Sequence, residues 1–251
     1  MENCDIIETV MGNIKIVKYN KPKRKNAIDV PMYLKITQIL NEAADDDSIA
    51  VAVLTGNGDY YSSGNDLSGM SREHSHLDVL KEFIKAFITF PKLLIAIVNG
   101  PAVGIAATTL PLCDLVFAAE NAFFLTPFSK LGIVAEGCST LTFPRVMGDR
   151  KAIEMLLLNH KMSAQEALEC GFVNYLFKPE ELQSKVWDKI VEVSKLPKHS
   201  IKATKSLIRN NCKDLLQVND KELQALQNVW DSGEHLSSLQ NFMLEKNKSK
   251  I

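Results

Sequence analysis

The feature that most constrains the fold is a series of short, continuously apolar runs that are separated by helical patterns and turns. The runs cover residues 49–55, 93–98 and 112–118. Runs of this length without polar alternation are typical of strands buried on both faces. The sequence therefore predicts an α/β protein with an alternating core.

Other patterns complete this core. Further strands are predicted at 12–19, 122–125 and 173–177, and helices at 29–44, 77–90 and 102–111. Asp29 is suited to cap the first of these helices, because aspartate accepts hydrogen bonds from the free N–H groups of a first turn. Ser163 and Glu166 form a capping box for a further helix, and Gly171 is suited to end it.

The character of the chain changes after Pro179. Helical patterns follow at 182–193, 200–216 and 220–244, and no strand pattern remains. We therefore expect a helical tail behind the α/β core.

Composition excludes several classes of partner. Lysine plus arginine number 29 and aspartate plus glutamate 30, so the net charge of −1 provides no basic footprint for nucleic acid. No apolar run reaches the length of about 18 residues that a membrane helix needs. The five cysteines are scattered without a CxxC spacing, which predicts neither a disulfide framework nor a zinc site. The N-terminus lacks the pattern of a secretory signal. We expect a soluble intracellular protein without a metal.

Two loops that contain glycine each follow a buried strand. They cover residues 56–67 and 99–104. In open α/β architectures ligands bind beyond the carboxyl ends of strands, and glycine allows the backbone to approach them. Two such loops could direct two N–H groups at one oxygen atom, which is the geometry of an oxyanion hole. Simple turns would explain the same pattern.

Three polar features remain as candidates for chemistry. Glu136 follows apolar residues in a stretch rich in small residues, so partial burial would raise its pKa and make it a better base. The alternative is a glutamate favoured by the dipole of a helix N-terminus. Asp114 interrupts a buried strand and must be paired, which favours a structural role. The basic residues between Lys21 and Lys25 form either a solvated loop or a contact with phosphate.

Five segments carry a resemblance to a known family. They are Lys-Pro-Lys-Arg-Lys-Asn-Ala-Ile28, Tyr-Ser-Ser-Gly-Asn-Asp-Leu67, Asn-Gly-Pro-Ala-Val-Gly-Ile105, Cys-Asp-Leu-Val-Phe-Ala118 and Ser-Ala-Gln-Glu-Ala-Leu168. In this order and spacing they resemble the crotonase, or enoyl-CoA hydratase/isomerase, superfamily over nearly the whole chain.

The resemblance implies a spiral of ββα units over residues 1–196 and a helical oligomerisation region over 197–251. The assembly would be a homotrimer or hexamer. The substrate would be an acyl-CoA, with its thioester oxygen held by the backbone N–H groups of Asn65 and Ile105, and no cofactor beyond the substrate's own coenzyme A is implied. The implied substrate-binding residues are Lys23, Arg24, Lys25, Asn26, Ala27, Ser62, Ser63, Gly64, Asn65, Asp66, Leu67 and Gly104.

The side chains select among the reactions of the superfamily. The two acids of the hydratase pattern fall on Thr108 and Phe128, so both are missing. Glu136 falls on the catalytic glutamate of the peroxisomal-type Δ3,Δ2-enoyl-CoA isomerases, although that subgroup usually has proline where this chain has Ala135. The resemblance thus implies an isomerase with one carboxylate. Alternatives are another crotonase reaction, such as weak hydration or dienoyl-CoA isomerisation, and an acyl-CoA-binding module without chemistry.

The last three residues, Ser249-Lys250-Ile251, differ from the S-K-L peroxisomal address only in the final residue. We therefore expect the peroxisomal import receptor as a partner and a peroxisomal location, with the mitochondrion as the alternative.

Overall fold

The computed structural model describes residues 5–67, 74–182, 184–209 and 212–248. The strands are β1 (Ile6–Met11), β2 (Ile14–Tyr19), β3 (Val51–Gly56), β4 (Leu93–Val98), β5 (Ala102–Val103), β6 (Leu115–Ala119), β7 (Phe123–Leu125), β8 (Met162–Ser163) and β9 (Tyr175–Phe177). The helices are α1 (Val30–Asp45), α2 (His74–Thr89), α3 (Ile105–Thr108), α4 (Ser139–Met147), α5 (Asp149–Leu156), α6 (Ala164–Glu169), α7 (Lys185–Ser194), α8 (Lys198–Ile208), α9 (Cys212–Ser232) and α10 (His235–Lys248).

The strands of the main sheet lie in the order β1-β2-β3-β4-β6-β9. Only β1 and β2 pair antiparallel, and each remaining pair of neighbours is parallel. The carboxyl ends of β2, β3 and β4 therefore lie at the same edge of the sheet, and the loops that follow them are neighbours.

A second, smaller sheet has the order β5-β7-β8. Two isolated bridges extend it, since Ser62 pairs with Ala102 and Ile28 with Asn65. The main-sheet strands β2, β3, β4 and β6 are thus each followed by a short extended segment in this second layer. This alternation between two layers is the spiral of ββα units that the family resemblance implies.

The main sheet is buried on both faces. On one face, Val51, Val53, Ile95 and Ile97 pack with Leu182 and with two residues of α7, Val186 and Ile190. The alternate residues of β3 and β4 belong to the larger core with α1 and α2. Because both faces are covered, both sets of alternating positions must be apolar, which is why these strands are continuously apolar runs in the sequence.

Most predicted elements are confirmed, and the errors have local causes. Asp29 caps α1 by accepting from the backbone N–H of Met32, and the capping box of α6 is present. The helix predicted at 102–111 is wrong in part, because Gly104, with φ of +58°, separates strand β5 from the short helix α3. The tail helices predicted at 200–216 and 220–244 are instead α8, α9 and α10, and Gly233, with φ of +73°, lies between the last two. Strands β1 and β8 and helices α4 and α5 have no counterpart among the predictions.

The pairing predicted for Asp114 is confirmed. Its carboxylate accepts from Lys205 at 2.5 Å and from Arg209 at 2.8 Å, both on or next to α8. It also accepts from the backbone N–H of Leu94. The cluster fastens α8 to the main sheet, which is the structural role expected for an acid at the start of a buried strand.

Candidate active site

Backbone hydrogen bonds join the two glycine loops. The N–H of Ser62 donates to Pro101, and the N–H of Val103 donates back to Ser62 over 3.0 Å. Gly64, with φ of +80°, lies so close that a Cβ there would be 2.5 Å from the carbonyl oxygen of Val103. The approach of the two loops therefore depends on glycine at position 64.

Two backbone N–H groups at this junction are unpaired within the described part of the chain. Ile105 is the first residue of α3, and the N–H of a first helical residue has no partner inside the helix. Asn65 lies between Gly64, whose carbonyl accepts from Ile28, and Asp66, whose N–H donates to Ile28, so its own N–H points away from this pairing. Two N–H groups at one junction that have no partner in the described residues are the kind of donors that an oxyanion hole requires, and the assignment stays a prediction.

Glu136 is buried beside these donors. Its side chain is 2% exposed, and its Oε1 accepts a hydrogen bond from Nδ2 of Asn65 at 3.1 Å. The Tyr33 hydroxyl, on α1, donates to Oδ1 of the same asparagine. Asn65 therefore lies between a tyrosine and a carboxyl group, and its amide is fixed from both sides.

The surroundings of Glu136 raise its pKa. Burial raises the pKa to about 8, the negative charge of Glu222 acts in the same direction, and the hydrogen bond from Asn65 acts against both. A carboxyl group with such a pKa both accepts and returns a proton near neutral pH. The burial of Glu136 and the direction of its pKa shift agree with the sequence-based expectation, and its role as a base stays a prediction.

The positions of the missing hydratase acids are filled by other buried side chains. Thr108 is fully buried and lies against Gly137, where a Cβ would come within 2.3 Å of the threonine Oγ1. Phe128 is 3% exposed and belongs to the apolar core. Within the described residues, Glu136 thus has no second acid at either of these two places.

The residues predicted to meet coenzyme A fall into two groups. Asn26 and Ser62 are buried, and their side chains hold the loops together: Asn26 donates to Tyr60 at 2.7 Å, and Ser62 donates to the carbonyl oxygen of Asn26. Ala27 is buried as well, and Ser63 donates its backbone N–H to Lys25. Asp66 accepts from Arg24 at 3.0 Å.

The second group is exposed. It comprises Lys23, Arg24 and Lys25, which lie on the loop beside the junction. Lys25 also lies over the ring of Tyr60 at 4.8 Å. Arg24 is held by the Asp66 carboxylate, whereas Asn26 and Ser62 fix the backbone of the loops.

Sequence reasoning missed Tyr33 and Glu222. Tyr33 is fully buried on α1, and Glu222 is 5% exposed on α9. The helical pattern identifies both positions only as buried or interfacial. No local motif indicates that either side chain contacts the site. No cluster of histidine, cysteine, aspartate or glutamate suited to a metal occurs among the described residues. No helix in the same ranges is long and apolar enough to cross a membrane.

The alternating two-layer spiral and the paired loops define a crotonase-type fold. The chain belongs to the enoyl-CoA hydratase/isomerase family, whose model matches residues 9–250.

Relatives and solved structures agree with this assignment. The chain is 43% identical to human enoyl-CoA delta isomerase 2, over 97% of this chain and 64% of the human protein. It is 42% identical to mouse peroxisomal enoyl-CoA delta isomerase 3, over 100% of this chain and 81% of the mouse protein. An enoyl-CoA hydratase/isomerase structure from Pseudoalteromonas atlantica superposes with a TM-score of 0.92 at 29% identity, covering 96% of this chain and 98% of that one. Because the match covers 64% of human enoyl-CoA delta isomerase 2, this chain spans less than two thirds of that protein.

Proposed function

We propose that this protein is an enzyme that isomerises 3-enoyl-CoA to trans-2-enoyl-CoA. The observation that carries the proposal is one buried carboxyl group, Glu136, beside the unpaired backbone donors of Asn65 and Ile105. Two relatives named as enoyl-CoA delta isomerases support the same class of reaction.

In the proposed reaction the Glu136 carboxylate removes a proton from C2 of the 3-enoyl thioester. The electrons of the C–H bond move toward the carbonyl, and the thioester oxygen becomes the oxyanion of a dienolate. The N–H groups of Asn65 and Ile105 donate to this oxygen, and removing one such donor costs roughly 10²–10³-fold in rate in other enzymes. The protonated Glu136 then returns the same proton at C4, which leaves the double bond between C2 and C3.

The pKa of about 8 suits both halves of this cycle. An ordinary glutamate would be a weak base toward a carbon acid, whereas a raised pKa strengthens the base and still permits reprotonation of C4. The starting state must be ionised, so the pKa also predicts that activity rises with pH through the range near 8.

Hydration is the enzymatic alternative. Adding water to a 2-enoyl thioester requires activation of the water as well as a proton for the α-carbon. Thr108 and Phe128 occupy the places of the two acids in the hydratase pattern, and the apolar ring at 128 disfavours a bound water. Isomerisation needs only the single carboxyl group, so these two replacements favour it over hydration.

Binding without catalysis is the remaining alternative. Burying a carboxyl group that has few hydrogen-bond partners costs free energy, and a module that only binds gains nothing from that cost. Glu136 therefore favours an enzyme. The discriminating experiment is an absorbance assay with 3-enoyl-CoA that follows the conjugated 2-enoyl thioester. Absence of product at high protein concentration would favour the binding module.

We extend the proposal to the surroundings of the enzyme. The basic loop would meet the phosphates of coenzyme A, and no separate cofactor would be needed.

The assembly would be a homotrimer or hexamer. Leu207 and Ile208 on α8 are apolar and 77% and 79% exposed, so they suit contacts between subunits. Light scattering would detect such an assembly as a mass that is a multiple of three chains. We propose that the enzyme takes part in the oxidation of unsaturated fatty acids in the peroxisome. Two observations support this location: the C-terminal tripeptide, which lies outside the described residues, and the name of the mouse relative. Imaging of the chain with and without its last three residues would distinguish this from a mitochondrial location.

A further inference from the structure

A second buried carboxyl group lies close to Glu136. Glu222, on α9, accepts from the backbone N–H of Cys138 at 2.7 Å. Its other oxygen accepts from the backbone N–H of Thr140 at 2.9 Å and from the Thr140 hydroxyl at 2.7 Å. One side chain of the helical tail thus makes three hydrogen bonds to the segment that directly follows Glu136.

This segment needs an external acceptor. Helix α4 begins at Ser139, and the side chain of Cys138, its N-cap residue, makes no capping hydrogen bond. The first N–H groups of a helix have no partner within it. Gly137 and Cys138 both have positive φ values, +73° and +61°, so the turn is tightly bent. Glu222 therefore supplies the missing cap from a distant part of the chain, and its negative charge suits the N-terminus of a helix.

We propose that Glu222 is a positioning residue, which holds the turn at 136–140 so that the Glu136 carboxyl group faces the paired loops. This inference rests on the proposed function, because it assigns Glu222 a task in the reaction of Glu136. It links α9, in the tail, to the base in the core.

The charge of Glu222 has a second, measurable consequence. The groups that raise or lower the pKa of Glu136 are Glu222 from α9 and Asn65 from the glycine loop, and no cation of the described residues contributes. Tyr33, on α1, and Cys138, on the turn itself, are the other titratable neighbours, and burial raises the pKa of both, so they stay neutral at physiological pH. Burial raises the pKa of Glu222 as well, whereas its hydrogen bonds from Thr140 and Cys138 favour the ionised form. Replacing the ionised side chain by a neutral residue should therefore lower the pKa of Glu136.

The test compares Glu222→Gln with Asp231→Asn, which removes a negative charge from an exposed position on the same helix. Glutamine keeps one acceptor oxygen, but its NH2 group replaces the second oxygen and cannot accept the other backbone N–H. We expect Glu222→Gln to lower kcat by on the order of tenfold, because small displacements of a reacting group are costly. KM should change little, and the midpoint of the pH profile of kcat/KM should move to lower pH. Asp231→Asn should match the parent protein in all three measurements.

A purely structural role for Glu222 would lower stability without moving the midpoint, and that result would overturn the inference. Parent-like kcat and midpoint in Glu222→Gln would overturn it as well. If Glu222→Gln fails to fold, Thr140→Val, which removes one of the three donors, takes its place. It should give a smaller loss of kcat at unchanged KM, and an unchanged kcat would contradict the proposal.

A titration of the resting protein separates this inference from the proposed function. The carboxyl signal of Glu136 is followed by carbon NMR and assigned by its loss in Glu136→Gln. If the parent protein does not isomerise 3-enoyl-CoA, the proposed function fails. The coupling between the two carboxyl groups is then still decided by whether Glu222→Gln lowers the pKa of Glu136, and an unchanged titration would overturn it.

Discussion

The side-chain amide of Asn65 donates to the carboxyl group of Glu136 over 3.1 Å. The backbone N–H of the same asparagine is one of the two proposed oxyanion donors. One residue therefore fixes both the base and part of the oxyanion hole, so that the distance between them depends on the rotamer of a single side chain.

The hydroxyl group of Tyr33 holds that rotamer by donating to Oδ1 of Asn65. We expect Tyr33→Phe to lower kcat by roughly 2–10-fold, the usual worth of one neutral hydrogen bond. The same absorbance assay measures the effect. Tyr175→Phe is the matched control, because this tyrosine is 45% exposed and lies on β9, away from the site. Equal activity of both variants and the parent protein would show that the hydroxyl does not position Asn65.

Glu136→Gln removes the proton carrier and keeps the shape of the side chain. General acid–base catalysis contributes roughly 10²–10⁴-fold, and here one group performs both transfers. We expect a loss at or beyond the top of that range, with binding of the substrate retained. An activity within about tenfold of the parent would exclude Glu136 from the mechanism, since that loss is below the range for general catalysis.

The same variant should change stability in a pH-dependent way. The pKa of Glu136 is about 8 in the folded protein, against 4.5 for an ordinary glutamate. The folded state therefore binds the proton more tightly, and its stability falls as pH rises from about 4.5 through 8. Glutamine does not titrate, so Glu136→Gln should match the parent protein near pH 4 and exceed it by a few kcal/mol near pH 8. Urea unfolding at the two pH values measures this, and a pH-independent difference would contradict the raised pKa.

Gly64 and Gly12 provide a matched pair. Both have positive φ, +80° and +60°, but a Cβ at Gly64 would meet the Val103 carbonyl at 2.5 Å, whereas nothing lies within 4 Å at Gly12. Both alanine variants pay a backbone cost of about 1 kcal/mol. Gly64→Ala should in addition separate the two loops and lower activity by on the order of 10²-fold, because one proposed oxyanion donor would be displaced.

Gly12→Ala should keep full activity at slightly reduced stability. A comparable loss of activity in both variants would mean that backbone strain, rather than the contact between the loops, explains the effect at Gly64.

The sequence predicts the main sheet well because its signals are local. Strand β4 has the predicted bounds, Leu93–Val98, since a run buried on both faces must be apolar throughout. The burial of Glu136 was also predicted, from the small and apolar residues around it. The cap of α1 by Asp29 and the capping box of Ser163 depend only on neighbours three residues apart, so they too were predictable.

The parts that were missed depend on distant neighbours. The hydrogen bond from Cys138 to Glu222 joins residues 84 positions apart, and that from Tyr33 to Asn65 joins residues 32 apart. Helix α4 has no side-chain cap of its own and contains Pro144, so its start carries no local signal. Only the packing of α9 against the core supplies its cap, and packing of this kind leaves no mark in a single sequence.

The central claim is that Glu136, without an acid at positions 108 and 128, isomerises rather than hydrates the substrate. The most direct test is the ratio of two rates in the unmodified protein: isomerisation of 3-enoyl-CoA and hydration of 2-enoyl-CoA. The oxyanion donors stabilise both reactions and cannot discriminate between them, so the ratio reports water activation alone. The account predicts that isomerisation is far faster. A hydration rate equal to or above the isomerisation rate would contradict the single-base mechanism.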